Sequence, residues 1–430
     1  MQVRILSMVL RAGFAIFAAG LFVTTAWGTD HQTVLYNFNG MDGSGAAGGL
    51  IMDSAGNLYG VTNQGGTSGN GNCLFGCGTV FELSPTPRGS WSESVLYDFE
   101  GGNDGIYPVG NLFMDVAGNL YGVTSQGGTH GVGIVFELSA NGSGGWTETV
   151  LYSLGTNSDE AFPTGGLIMD AAGNLYGTAS YGGSYGWGTV FKLSPSSGGW
   201  TETTLYSFSG GDDGLGPNGN LVMDAAGNLY GTTFNGGQGG GFCQGSGCGT
   251  VFQVSPGVSG WTETVLHSFN ADEGYGPSAG LVMDAAGNLY GTAYQGGNLT
   301  GENCAPFGCG TVFEVSPNGG GWTETTLHAF GGQPDTGYPL ARLILDSAGN
   351  LYGTGTSATL VPPAVFELSP RQGGWLESLP FSFNPNDGPT SGVILDRLGE
   401  LYGEAGGGVY GAGVAYELTS PSIRPASRAH

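Results

Sequence analysis

One segment recurs seven times, and a chain that copies itself at near-constant spacing must bury its core by stacking the copies. Relatives of "LIMDAAGNLYGT" place an aspartate at Asp53, Asp115, Asp170, Asp224, Asp284, Asp346 and Asp396, at intervals of 50 to 62 residues. Relatives of "GTVFELSP" also occur seven times, their apolar cores ending at Leu83, Leu138, Leu193, Val254, Val315, Leu368 and Leu418. Each repeat holds four strand candidates. Strand A is "GLIMD", and "AAGN" is a turn with glycine free to take positive φ. Strand B is "NLYGT", followed by a Gly-rich loop. Strand C is "GTVFELS". After "PSSGG" comes strand D, "WTETTLYSF", which alternates polar and apolar residues over much of its length. Four antiparallel strands in about 55 residues fit a β-propeller blade better than a β-helix rung. The expectation is an all-β, seven-bladed β-propeller over residues 29–419, with a short tail at 420–430.

The two chain ends fit this count. The seventh repeat supplies strands A ("GVILD"), B ("ELYGE") and C ("GVAYELT") and then stops at Thr419. The segment "HQTVLYNF" near the start is a strand D with no A, B or C before it. A ring in which Val34 to Phe38 pairs with Val414 to Leu418 completes the seventh blade and leaves no open sheet edge. Asp30 stands where the other copies carry tryptophan, since no C–D turn precedes it.

Composition agrees with strands and turns. The 88 glycines follow no Gly-X-Y period, and 22 Phe with 19 Tyr leave enough apolar surface for a core. Residues 1–28 read as a secretory signal: Arg4 and Arg11 flank "AGFAIFAAGLFV", and "AWG" precedes Thr29 as a cleavage site. The alternative is an uncleaved N-terminal anchor. Beyond the leader the chain keeps seven of its nine basic residues and all 34 acidic ones, a formal charge of −27. That excludes nucleic acid and anionic membrane surfaces as natural partners. Cysteines fall in three close pairs, Cys73/Cys77, Cys243/Cys248 and Cys304/Cys309, which in an exported chain read as disulfides. They lie in the longer B–C loops, so the bridges are expected to staple surface loops rather than the core. A four-cysteine zinc site from the second and third pairs is the alternative.

The stretch "GLIMDAAGNLYGTASYGG…GTVFKLSPSSGGWTETTLYSF", from Gly166, resembles the Gloeo/Verruco (GloVer) repeat of exported bacterial proteins, and the resemblance covers residues 32–419. It implies export and a tandem-repeat β fold, and no defined activity. Some members carry a C-terminal anchoring segment; this chain ends in "SPSIRPASRAH" instead. Repeat six departs from the pattern at "LVPPAVFEL", and repeat seven has Glu400 where asparagine is usual.

Candidate sites come from departures as much as from repeats. The seven repeated aspartates read as turn caps, because a catalytic acid needs no seven copies. The D–A loops form a second acidic set, with Asp104, Asp212, Asp213, Asp272 and Glu273 the candidates for Ca²⁺, an oxygen-seeking ion. His267 and His328 stand at the tyrosine position of V-L-Y-x-F and read as packing replacements. Trp91, Trp146, Trp200, Trp261, Trp322 and Trp375 start strand D and read as blade packing. Trp187, Tyr181, Tyr185, Phe234, Phe242, Tyr294 and Phe307 break the repeat and are expected in B–C loops, which makes them the ligand-binding candidates. No Ser/His/Asp or Cys/His arrangement is evident. The reading is a monomeric, exported, non-catalytic module that binds a glycan or protein on the face shared by B–C and D–A loops. The alternatives are a calcium-assisted propeller enzyme acting on glycans or lactones, and a structural envelope or matrix protein.

Overall fold

A computed structural model describes residues 31–419 except 47, 69–72, 156–159, 239–242, 244, 301–303, 332–334 and 357–360. The expected leader and the tail from residue 420 lie outside the described residues. Seven antiparallel sheets form a seven-bladed β-propeller. Blade 4 shows the plan, with strands A (Leu215–Met223), B (Leu229–Asn235), C (Thr250–Gly257) and D (Gly260–Ser268) in that order. Strand A reaches further back than the sequence indicated. In blades 2 and 4 it takes in most of what reads as the end of the D–A loop, and a register shift divides it.

The ring closes as expected. The sheet of blade 7 runs Ile394–Leu395, Leu401–Ala405, Val414–Thr419 and then His31–Asn37. His31 pairs with Thr419, Val34 with Tyr416 and Asn37 with Val414.

The V-L-Y-x-F signature has a geometric cause. Pairing between strands C and D skips one residue between Val34 and Tyr36, and likewise between Val150 and Tyr152. This β-bulge breaks the period-two alternation. Both Leu35 and Phe38 are buried, as are Leu151 and Leu154.

Aromatic rings join the blades. Phe38 lies edge-on to Phe81 of the next blade at 4.9 Å, Phe99 to Phe136 at 5.2 Å and Phe208 to Phe252 at 5.1 Å. Such T-shaped pairs add about 0.5–1.5 kcal/mol each beyond the area they bury. The strand C phenylalanine also dictates the glycine of "LYG". A Cβ on Gly60 would come within 2.5 Å of the Phe81 ring, and one on Gly122 within 2.4 Å of Phe136. The strand D tryptophans pack as expected, Trp91 against Tyr402 of the preceding blade and Trp261 against Tyr176.

One expectation is corrected. All three cysteine pairs are disulfides, which rules out the four-cysteine zinc site. They are not surface staples, however. Cys77, Cys248 and Cys309 are fully buried and belong to core clusters that span two blades. Their carbonyls accept hydrogen bonds from Tyr107, Gly276 and Tyr338 of the next blade. Each cystine therefore fills the junction between two blades.

Candidate functional site

The repeated aspartates are turn caps. Asp170 Oδ1 accepts from the backbone N–H groups of Ala172 and Asn174, and Oδ2 from the Asn174 amide and the Tyr176 hydroxyl. Partial burial pushes this carboxyl up, but the hydrogen bonds from Asn174 and Tyr176 outweigh it and hold it below the ordinary aspartate range.

B–C and D–A loops meet on one rim of the ring. Gly66 N donates to Gly40 O, Gly128 N to Gly102 O and Gly237 N to Gly211 O. On this rim, blade 3 collects exposed rings. Tyr185 and Trp187 come from its B–C loop, whereas Tyr181, expected in that loop, lies near the end of strand B (Leu175–Gly182); the three are 63, 46 and 56% exposed, and Phe162 comes from the short strand Glu160–Pro163 that pairs with strand B. Phe162 meets Tyr181 edge-to-face at 5.9 Å. Trp187 lies against Gly210 of the following D–A loop, where a Cβ would come within 2.6 Å of the indole. The Trp187 carbonyl accepts from Gly216 N, so the ring sits on an anchored backbone.

Phe162 was not singled out in the sequence, yet its backbone marks it. Its φ is 55°, and Tyr107 and Tyr338 share the position with φ of 59° and 52°. Blades 4 and 5 place Gly216 and Gly276 there. The left-handed conformation costs a non-glycine residue about 1–3 kcal/mol. Three blades accept that strain to hold a ring where glycine would sit freely. The visible signal was an aromatic before proline where other repeats have Gly-Pro.

The remaining aromatic candidates divide. Phe234 and Tyr294 are half-buried, and each packs across a blade junction, on Tyr275 at 5.5 Å and on Tyr338 at 5.4 Å. Phe307 is exposed, but on the cystine loop of blade 5. Phe242 lies outside the described residues.

The acidic candidates occupy three separate D–A loops and are not brought together. Asp104 accepts from the Tyr97 hydroxyl and Glu100 N, both at 2.6 Å. Asp213 accepts from the Tyr206 hydroxyl and from Ser209. Glu273 faces His267 at 2.9 Å. Asp212 and Asp272 point to solvent.

Three D–A acids also meet a second carboxyl that the sequence did not place beside them. Glu93, Glu148 and Glu263, from strand D of the next blade, lie near Asp42, Asp104 and Asp213. Burial first, and the neighbouring aspartate second, push each of these glutamates up to about 7.

Two places break the seven-fold symmetry inside the ring. The A strands surround a central cavity of about 860 Å³, and Arg342 is the one charged side chain on its described wall. Its Nε donates to Leu281 O at 3.0 Å. In blade 7, Glu404 replaces the threonine or valine of the other copies, and Tyr416 replaces phenylalanine. Both are fully buried. Glu404 Oε2 accepts from Gly49 N of blade 1, across the closing junction, while Glu404 Oε1 and the Tyr416 hydroxyl have no hydrogen-bond partner. Burial pushes Glu404 up to about 7.

Comparison with known proteins supports the repeat reading. A family model described as the Gloeobacter/Verrucomicrobia repeat matches residues 13–170, 143–359 and 245–424. No curated protein matches the chain. Among solved structures, a polysaccharide lyase, an ulvan lyase of family PL25 bound to -[GlcA(1-4)Rha3S]-, superposes with a TM-score of 0.53 at 11% identity. The match covers 92% of this chain and 100% of that one. At that identity the likeness is one of fold.

Proposed function

We propose, for a chain that belongs to the Gloeobacter/Verrucomicrobia repeat family, that the propeller is an exported, non-catalytic glycan-binding module whose ligand lies on the blade 3 rim. The observation that carries this reading is the group of exposed rings Phe162, Tyr181, Tyr185 and Trp187, one of them held in a strained backbone. A sugar presents an apolar C–H face and a polar edge. Rigid aromatic rings offer contact area at low entropic cost, and the hydroxyl and carboxylate groups of Ser209 and Asp212 in the adjoining loop offer hydrogen bonds. The strongly acidic chain favours a neutral or cationic glycan over a polyanionic one. Export rests on the leader and on the three disulfides, which persist in oxidising compartments.

The test is a glycan array followed by calorimetry on the hits. Trp187→Ala and Tyr181→Ala are each expected to weaken binding roughly tenfold, about 1.4 kcal/mol, while Phe307→Ala leaves it unchanged. Equal affinity in the wild type and the first two variants refutes the rim as the site.

A second reading, a polysaccharide-cleaving enzyme, draws on Arg342, the one cation among the described residues lining the central cavity and able to hold a uronate carboxylate. It requires new reducing ends or unsaturated products when the chain meets uronate polysaccharides, and Arg342→Ala must abolish them.

A further inference from the structure

Among the described residues, five blade junctions share one arrangement on the outer edge of the ring. The third residue of V-L-Y-x-F in one strand D, the acid of the loop that follows and a glutamate of the next strand D converge. At three of them the first residue is a tyrosine that donates to the loop aspartate: Tyr36 to Asp42, Tyr97 to Asp104 and Tyr206 to Asp213. At two adjacent junctions it is a histidine. His267 Nε2 lies 2.9 Å from Glu273 Oε2, with Glu324 beside them. His328 Nε2 lies 3.1 Å from Asp335 Oδ2 and 3.8 Å from Glu377 Oε2.

The substitution changes the chemistry of the junction. A phenol there is a hydrogen-bond donor, whereas a neutral imidazole offers a lone pair to a metal ion. Within each group the three donor atoms lie within 4.8 Å of one another. Ligand atoms at 2.0–2.2 Å from a tetrahedral ion are roughly 3.4 Å apart, so the separations of 3.1 and 3.8 Å at His328 bracket what an ion needs. One imidazole and two carboxylates balance a divalent charge and suit a borderline ion better than Ca²⁺, which takes six to eight oxygens. The side chains are half-buried, which leaves a fourth position open to water. Glu377 also keeps a buried Oε1 that accepts no hydrogen bond.

We propose that these two junctions each bind one divalent transition ion of the Zn²⁺ class, through His267, Glu273 and Glu324 and through His328, Asp335 and Glu377. The ions clamp the outer strands of blades 4, 5 and 6, and the inference is independent of the glycan reading.

The repeat supplies its own control. Tyrosine occupies the same place at three junctions, so His267→Tyr and His328→Tyr restore a residue the blade already accommodates. The full chain, stripped with EDTA, is titrated with Zn²⁺ by calorimetry and with Co²⁺ by visible absorption, and its melting temperature is read with and without metal. The expected result is two ions per chain, one in His328→Tyr and none in the double variant. Zn²⁺ is expected to raise the melting temperature of the wild type most, of His328→Tyr less and of the double variant not at all, with all metal-free proteins melting alike. Binding retained in the double variant overturns the proposal, as does no binding tighter than about 0.1 mM. Displacement of Zn²⁺ by equimolar Ca²⁺ overturns the ion class.

Discussion

Glu404 makes the ring less stable as the pH rises, and the size of the effect follows from its surroundings. The carboxyl has no exposed surface, one oxygen bonded to Gly49 N and one oxygen unpartnered. Burial lifts it from 4.5 to about 7. A carboxyl raised on folding leaves stability untouched below its unfolded value. It costs progressively more as pH climbs from 4.5 towards 7, and the cost then levels off. The full cost is about 3 kcal/mol, at roughly 1.4 kcal/mol per unit. About 2.5 kcal/mol of it develops between pH 5 and pH 8. Glutamine keeps the acceptor for Gly49 N and removes the titration. Urea unfolding of the wild type and Glu404→Gln at pH 5 and pH 8 isolates the effect, since the raised glutamates of the outer junctions contribute equally to both proteins. The variant should gain about 2.5 kcal/mol on the wild type over that interval. Parallel pH dependence of the two proteins refutes the account.

Two further outcomes follow from the fold. Phe38→Ala removes a fully buried ring that joins blade 7 to blade 1, and it should cost about 3–5 kcal/mol by urea unfolding; deleting residues 29–38 should lower the melting temperature further, and a cost below about 1 kcal/mol refutes the closure's role. Asp170→Ala leaves four donors uncapped and should cost about 1–3 kcal/mol at pH 7. Because that carboxyl is held below its ordinary value, the difference from wild type should shrink as the pH falls below 3.8.

The fold was legible because the repeat fixes strand order, and the two incomplete ends identified the seventh blade. Pattern alone missed what depends on a neighbouring blade. Glu93 and Asp42 are 51 positions apart and belong to different sheets, so no local spacing reveals their contact. His267 and His328 looked like replaced packing residues because their partners Glu324 and Glu377 lie a blade further on. Loop length pointed the cystines outward, whereas they are buried in core clusters shared with the next blade, which no loop length reveals. Of the rim candidates, Tyr181, Tyr185 and Trp187 could be found as departures from the repeat. Phe162 was marked only by an aromatic standing before proline where other repeats have Gly-Pro, a signal whose meaning lies in the backbone angle it imposes.

The closing ladder has a direction. Of the paired residues, His31 and Thr419 lie nearest in sequence to the two termini and form the first pair of that ladder, and Asn37 with Val414 is the last. Tension applied between the two termini therefore loads one pair at a time and peels the strand away from His31 inward, rather than shearing all the bonds at once. A tether at one terminus leaves the ring under no such load. Anchored at both ends, the same molecule would open at its seam under little force while the other six blades, each closed within a continuous stretch of chain, stayed intact.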